Sequence, residues 1–347
     1  MAPTHAAHVD ESAATVVTVT YGSRWHLLRQ ALASARREGV SRAVVIDNGS
    51  KHDIRALALT EFGAEFADVV SMGRNTGSAA GFKAGIERAL AVGSEFLLLL
   101  DDDNVLEQGA VGALHHAWKQ HAGGTAAAES LAVLAFRSDR MTDAATLAPA
   151  SGTKGTQTAF LGFRWTDIPF KVFRRIPGVR RWIASRPVRQ QVVMSIAPYS
   201  GMYFHKSVAT THGVPDERFV LYADDTEFSY RLTRAGGKIL LVTDARITDL
   251  EPSWGNKSRF GNNFDALLCG GDDFRAFYST RNNAYYERWS RDRGDAMVRK
   301  INRWIFLTLL RTRARMLGRQ ERLALLRHAI AEGEAGRLGV NEAFPLR

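Results

Sequence analysis

Four consecutive leucines, Leu97, Leu98, Leu99 and Leu100, run straight into three consecutive aspartates, Asp101, Asp102 and Asp103. An unbroken apolar run of this length reads as a strand buried on both faces, as in a parallel sheet covered by helices on each side. In such sheets ligands bind at the carboxyl ends of the strands, where these acids stand. Adjacent carboxylates repel each other, so something must stabilise the triplet. Two readings of the triplet answer this: a divalent cation, Mn²⁺ or Mg²⁺, held by hard oxygen ligands, or a helix start capped by Asp103 or Asn104.

The flanking pattern agrees with such a sheet. Residues 15–20 (TVVTVT) are β-branched and read as a first strand, and residues 25–38 carry helical apolar spacing. Strands are expected at 42–46, 67–71, 95–100, 131–137, 198–205 and 238–242. Helices are expected at 54–62, 79–92, 110–120 and 224–235, and most of the chain from 274 onward reads as helical. Alternating strands and helices imply right-handed βαβ units in a mostly parallel sheet. Polar residues gather after each early strand, at Tyr21, Asp47, Arg74, Asn75 and the triplet, which points to one ligand edge. Residues 138–189 mix glycine, aromatic and basic residues and read as an insertion. The tail from Glu332 is rich in glycine and charge and is expected to be loose.

Composition excludes several classes. Of 347 residues only Cys269 is a cysteine, so there is no internal disulfide and no cysteine-based zinc site, and a reducing compartment is expected. Residues 1–12 hold no apolar stretch, so no secretory signal is expected, and no apolar run reaches bilayer length. The net charge of +10 is concentrated. Lys171, Arg174, Arg175, Arg180, Arg181, Arg186 and Arg189 occur with no acid between them, and residues 291–327 hold eleven basic side chains against three acidic ones. Such patches attract phosphates or anionic lipid, or are solvated helix faces. Nucleic acid is not the expected partner, because the acidic clusters at the sheet edge would repel its backbone. A nucleotidyl-transferring pyrophosphorylase needs a glycine-rich phosphate loop after the first strand, and Tyr21, Gly22, Ser23 and Arg24 form a poor version of one.

A second acidic group, Asp224, Asp225 and Glu227, opens a predicted helix, where the helix dipole alone stabilises each carboxylate by about 0.3–1 kcal/mol. The order of parts adds more: Tyr21, then Asp47, then Asn75-x-Gly77, then the Asp triplet, then Asp224-Asp225, then Arg231 and Gly236-Gly237. In this order, over residues 15–249, the chain resembles the family 2 inverting glycosyltransferases. The segment Asn75-Thr76-Gly77-Ser78-Ala79-Ala80-Gly81-Phe82 is similar to the N-x-G-G-A-G-G-F stretch of bacterial galactofuranosyltransferases, with Ser78 and Ala80 in place of glycines. Rhamnosyltransferases are close relatives.

The resemblance implies an α/β fold of the GT-A type, a Rossmann-like, mostly parallel sheet flanked by helices. It implies a catalytic domain over 13–252, with the basic and aromatic insertion at about 138–195, and a mainly helical C-terminal region over 253–347. By the same resemblance, Thr20, Tyr21, Asp47, Asn75, Gly77, Lys83 and Asp102 border the nucleotide sugar. Asp101 and Asp103 hold Mn²⁺ or Mg²⁺, with Asp249 where many members place a histidine ligand. Asp225 is the base, and Asp224, Trp254 and Arg281 face the acceptor. The implied partners are a nucleotide-sugar donor, UDP-galactofuranose or dTDP-rhamnose, and a polyprenyl-diphosphate-linked glycan at the cytoplasmic face of the cell membrane. The helix carrying Trp304, Ile305, Phe306, Leu309 and Leu310, and the insertion with Trp165, Phe170, Phe173 and Trp182, are then candidate contacts with anionic lipid, the alternative being that the apolar face packs on the catalytic domain or on another subunit.

Overall fold

A computed structural model describes residues 14–123, 128–147, 158–173, 176–251, 260–290 and 294–346. Four parallel strands lead: β1 (Ala14–Gly22), β2 (Arg42–Ser50), β3 (Ala67–Ser71) and β4 (Phe96–Asp101). Helices α1 (Trp25–Arg37), α2 (Ile54–Phe62) and α3 (Ser78–Ala91) connect them. The short β5 (Asn104–Leu106), β6 (Leu131–Phe136), β7 (Gln191–Met194), β8 (Met202–His205) and the long β9 (Lys238–Asp249) complete the sheet, and helix α4 (Ala110–His121) lies between β5 and β6 in the chain. Its order is β3-β2-β1-β4-β8-β6-β9-β5, with β7 on β9. β8 lies antiparallel between β4 and β6, while β6 and β9 are parallel.

The leucine strand is buried as its composition demands. Leu97, Leu98 and Leu99 are 0% exposed, and alternate leucines feed two apolar layers, one on each face of the sheet. Helix α3 lies close against β1 because Gly81 and Gly85 face Val19 and Val17, where any Cβ would clash. Register aligns the functional ends: Val19 sits beside Asp101, Thr20 beside Asp47, and Asp47 beside Ser71.

The C-terminal region is helical, with helices Asn263–Cys269, Asp273–Tyr285, Ala296–Met316 and Gln320–Glu334. On Ala296–Met316, Phe306 and Leu310 are 2% and 0% exposed and pack against Phe160 and Phe163. That face is therefore covered by protein, which corrects the expectation that Phe306 and Leu310 offer a membrane contact. The tail is also ordered, contrary to expectation. Gly339 donates its N–H to Arg218 O (2.7 Å), Asn341 donates to the Tyr278 hydroxyl (2.9 Å), and Phe344 stacks on Phe277.

Candidate active site

The carboxyl ends of β1, β2 and β4 open into a cavity of about 690 Å³. Tyr21, Asn75, Gly77, Asp101, Asp102, Asp103, Asp224, Asp225 and Asp249 all line it, so most of the residues expected from sequence converge. The C-terminal region adds Phe274, Arg275 and Leu346, which makes it part of the cavity wall.

The three aspartates of the triplet are not equivalent. Asp102 is 4% exposed and is clamped by Arg24, whose Nε and Nη2 reach its carboxylate at 2.8–3.0 Å, and by the Thr20 hydroxyl at 2.8 Å. Thr20 is itself wholly buried, so it supports Asp102 and does not touch the cavity. Arg24 also pairs with Glu251 and lies over the Tyr21 ring. It places one fixed cation inside the acidic cluster. Asp101 accepts a short hydrogen bond from Ser200. Burial, with Asp101 and Asp102 close by, pushes the Asp103 carboxyl up to about 7, because ionising a third carboxylate there costs more than in water.

Asp249 reaches the same cavity from the end of β9 and receives Asn104 Nδ2 at 2.8 Å. Its other oxygen pairs with Arg137 (3.4 Å) and with Arg140. Asp249 is thus neutralised by two arginines, which weakens its case as a third metal ligand. Among the described residues, no group of three His, Cys, Asp or Glu side chains stands in a metal-holding arrangement. Asp101 and Asp103 alone still fit a divalent cation of the magnesium type, which commonly takes one or two protein carboxylates and fills its remaining positions with phosphate oxygens and water. The like-charge repulsion that adds to burial in raising Asp103 is what a bound cation would relieve.

The helix Asp224–Arg234 brings two more carboxylates to the same cavity. Asp224 is 2% exposed and accepts the Ser78 hydroxyl at 3.0 Å, so it faces the start of α3 more than any acceptor. Asp225 is more open and accepts its neighbour's backbone N–H, from Thr226, at 2.6 Å. Both carboxyls are held above the usual carboxylate range, chiefly by burial, with Asp225 adding like-charge repulsion on Asp224.

A strained loop leads into this helix. Val220, Tyr222 and Ala223 have φ of 66°, 69° and 61°, a left-handed region that non-glycine residues avoid. The loop presses on Gly77, where a Cβ would lie 2.0 Å from Val220 O, so only glycine fits there. Asn282 fixes the loop from behind: its Nδ2 donates to the carbonyls of Phe219 (2.6 Å), Leu221 (2.7 Å) and Tyr222 (3.0 Å).

Several expected residues lie elsewhere. Arg281 is 1% exposed, orients Asn282 through its Nε (3.0 Å), donates to Gly339 O (2.7 Å) and stacks near Tyr278. It is a buried scaffold residue and not an acceptor contact. Lys83 points away from the cavity and pairs with Glu217 at 2.9 Å. Asp47 accepts the Ser50 N–H at 2.8 Å just outside the cavity wall, and its neighbour Asn48 lines the wall instead. Asn48 ties the two loops together, donating to Gly77 O (3.0 Å) and accepting from the Thr76 N–H (2.9 Å). Trp254 lies outside the described residues.

The main cavity residue missed in the sequence is Arg275. Its guanidinium meets the hydroxyls of Tyr222 (3.2 Å) and Tyr21 (3.5 Å). These are long contacts to neutral oxygens, in a cavity otherwise dominated by acids. Six residues separate it from Arg281, which at about 100° per residue puts the two on different faces of one helix.

Residues 15–143, from β1 past the triplet, match the family model "Glycosyl transferase family 2". No curated protein sequence matches the chain. Residues 1–349 of S. aureus TarS, solved with UDP-GlcNAc, superpose with a TM-score of 0.50 at 12% identity, covering 92% of this chain and 81% of that one. GalNAc-T7 with UDP, GalNAc and Mn²⁺ gives 0.49 at 14% identity, covering 84% of this chain and 54% of that one. The mannosyltransferase PcManGT from Pyrobaculum calidifontis, with GDP-Man and Mn²⁺, gives 0.48 at 14% identity, covering 95% and 76%. The chain spans about half the length of the longer of these structures, 54% of GalNAc-T7 and 44% of a longer TarS structure. The fold is therefore GT-A, and residues 15–143 carry the sequence signature of glycosyl transferase family 2, which supports a glycosyltransferase enzyme.

Proposed function

We propose that the protein is a metal-dependent inverting glycosyltransferase that moves a sugar, galactofuranose, from its UDP donor to a glycan acceptor, itself lipid-linked. The observation that carries this reading is the meeting of Asp101 and Asp103 with Asp225 across one cavity. Asp101 and Asp103 would hold Mn²⁺ or Mg²⁺, which supplies charge stabilisation to the departing diphosphate without a proton. Asp225 takes the proton of the acceptor hydroxyl. The acceptor oxygen then bonds to the anomeric carbon as the bond to the diphosphate oxygen breaks and its electron pair leaves with the diphosphate. One base opposite the leaving group implies inversion. Arg275, between Tyr21 and Tyr222, would meet the donor diphosphate, and Tyr21 would border the nucleotide base. The resemblance of the Asn75–Phe82 stretch to galactofuranosyltransferases supports the choice of sugar.

The test is thermal stabilisation by UDP-galactofuranose and by dTDP-rhamnose, each with and without Mn²⁺. We expect stabilisation by the UDP sugar with Mn²⁺, its loss with EDTA and its return on adding Mn²⁺. Stabilisation by dTDP-rhamnose alone would overturn the donor, and turnover in metal-free buffer would overturn the metal role. Arg275→Ala should weaken UDP binding about 10–100-fold, the value of one charge-assisted hydrogen-bonding group of about 1.5–3 kcal/mol. Binding of uridine, which lacks phosphate, should be unchanged in calorimetric titration.

A further inference from the structure

The insertion between β6 and β7 exposes apolar side chains that a water-facing surface has no use for. Trp165, Ile168, Phe170, Phe173, Ile176 and Trp182 are each between 38% and 54% exposed. The short helix Ile168–Phe173 has no buried residue at all. Scattered apolar residues are normal on a surface, but a concentration of this kind marks an interaction site.

The charge around the patch selects the partner. Lys171, Arg181, Arg186 and Arg189 are exposed within the same stretch, and Arg186 stacks on Trp182 at 4.1 Å. No aspartate or glutamate occurs from residue 168 to residue 215. Aromatic and aliphatic tips interleaved with long basic side chains suit the boundary between lipid headgroups and acyl chains, where rings enter and cations stay with phosphates.

The root of the segment is tied to the C-terminal helices. Phe160 and Phe163 pair across a tight turn and pack on Phe306, Glu287 receives the N–H groups of Leu161 and Gly162, and the Trp165 N–H donates to Asn302 at 2.8 Å. Asn302 belongs to helix Ala296–Met316, which exposes Met297, Ile301 and Trp304 at spacings of four and three residues, along one face. The insertion leaves the sheet at Arg137, which lines the cavity, and re-enters it at Gln191, the start of β7 on β9. Among the described residues no helix is long and apolar enough to cross a membrane.

We infer that residues 165–173 and 176–189 form an interfacial docking surface for an anionic lipid bilayer. This inference stands on the surface and not on the transfer reaction, so its test reads binding and not turnover.

The full chain is sedimented with vesicles of phosphatidylcholine containing phosphatidylglycerol, and with vesicles of phosphatidylcholine alone. We expect partition onto the anionic vesicles, weakened by salt, with a blue shift of tryptophan emission. The double variant Phe170→Ser and Phe173→Ser should lose at least about tenfold in partition, and Lys171→Glu with Arg186→Glu should lose the preference for anionic lipid. All four side chains are exposed, so the thermal midpoint of each variant should match the parent. No partition, or partition unchanged in both variants, overturns the inference. A concentration-dependent dimer that Phe170→Ser and Phe173→Ser abolish, without vesicle binding, overturns it in favour of a second copy of this chain.

Discussion

Asp225→Asn should lower turnover about 10²–10⁴-fold, the usual contribution of a positioned general base, while donor binding stays close to that of the parent. The amide has nearly the shape of the carboxylate, so the Thr226 N–H keeps an oxygen acceptor. What disappears is the capacity to take a proton. The same substitution removes one of two buried, adjacent charges, so the variant should unfold at a higher temperature than the parent near neutral pH. Burial raises both the Asp224 and Asp225 carboxyls. A carboxyl raised in the folded state binds more protons there than in the unfolded chain, so its ionisation lowers stability as pH rises through the window between the ordinary and the raised value. The stability gap between variant and parent should therefore shrink on acidification. For the parent, activity needs the ionised base, so it should fall as pH drops, with its acid limb above the ordinary aspartate range. Steady-state kinetics, calorimetric titration of donor and thermal melts at two pH values check these points together. Near-parental turnover in Asp225→Asn would remove Asp225 from the role of base.

Much of this arrangement was legible in the sequence because it is local. The strand Phe96–Asp101 announces itself by four leucines, and polar residues mark the ends of β1 to β4 one strand at a time. The ligand edge follows once the strands are parallel. β9 was only half legible: its first residues are apolar, but Thr243 onward alternates, and the strand continues there because β5 pairs with its end. Arg281 and Arg275 show where local reading stops. Both lie on one helix near one motif, and only the packing of Asp273–Tyr285 against Gln320–Glu334 decides which guanidinium is buried and which meets the cavity. Lys83 likewise has an acid within reach on a distant loop, Glu217, that no spacing rule reveals. Asp249 resembled a ligand by position alone, and its arginine partners arrive from the residue just after β6 and from the helix that follows it.

Asn282→Ala should damage catalysis although Asn282 is wholly buried and does not line the cavity. Its amide is the donor to three carbonyls of the 219–222 loop. Leaving buried carbonyls without donors costs about 1–3 kcal/mol each, and each strained residue in the loop stores about 1–3 kcal/mol that surrounding contacts must hold. Without the amide, Val220, Tyr222 and Ala223 can relax toward ordinary backbone angles, and Asp224 and Asp225 move with them. A displacement of about 1 Å at a catalytic group can cost about 10²-fold in rate. We therefore expect turnover to fall about 10²-fold and the fold to lose about 2–4 kcal/mol, while Mn²⁺-dependent donor binding through Asp101 and Asp103 persists at low temperature. Asn282→Asp should not rescue, because a carboxylate offers no N–H to the carbonyls and leaves a buried charge beside them. The pH profile separates positioning from mere destabilisation: a displaced, better solvated Asp225 titrates lower, so the acid limb of activity should shift toward ordinary aspartate values. A stable variant with parental turnover and an unmoved acid limb would show that the loop holds its strained form without Asn282.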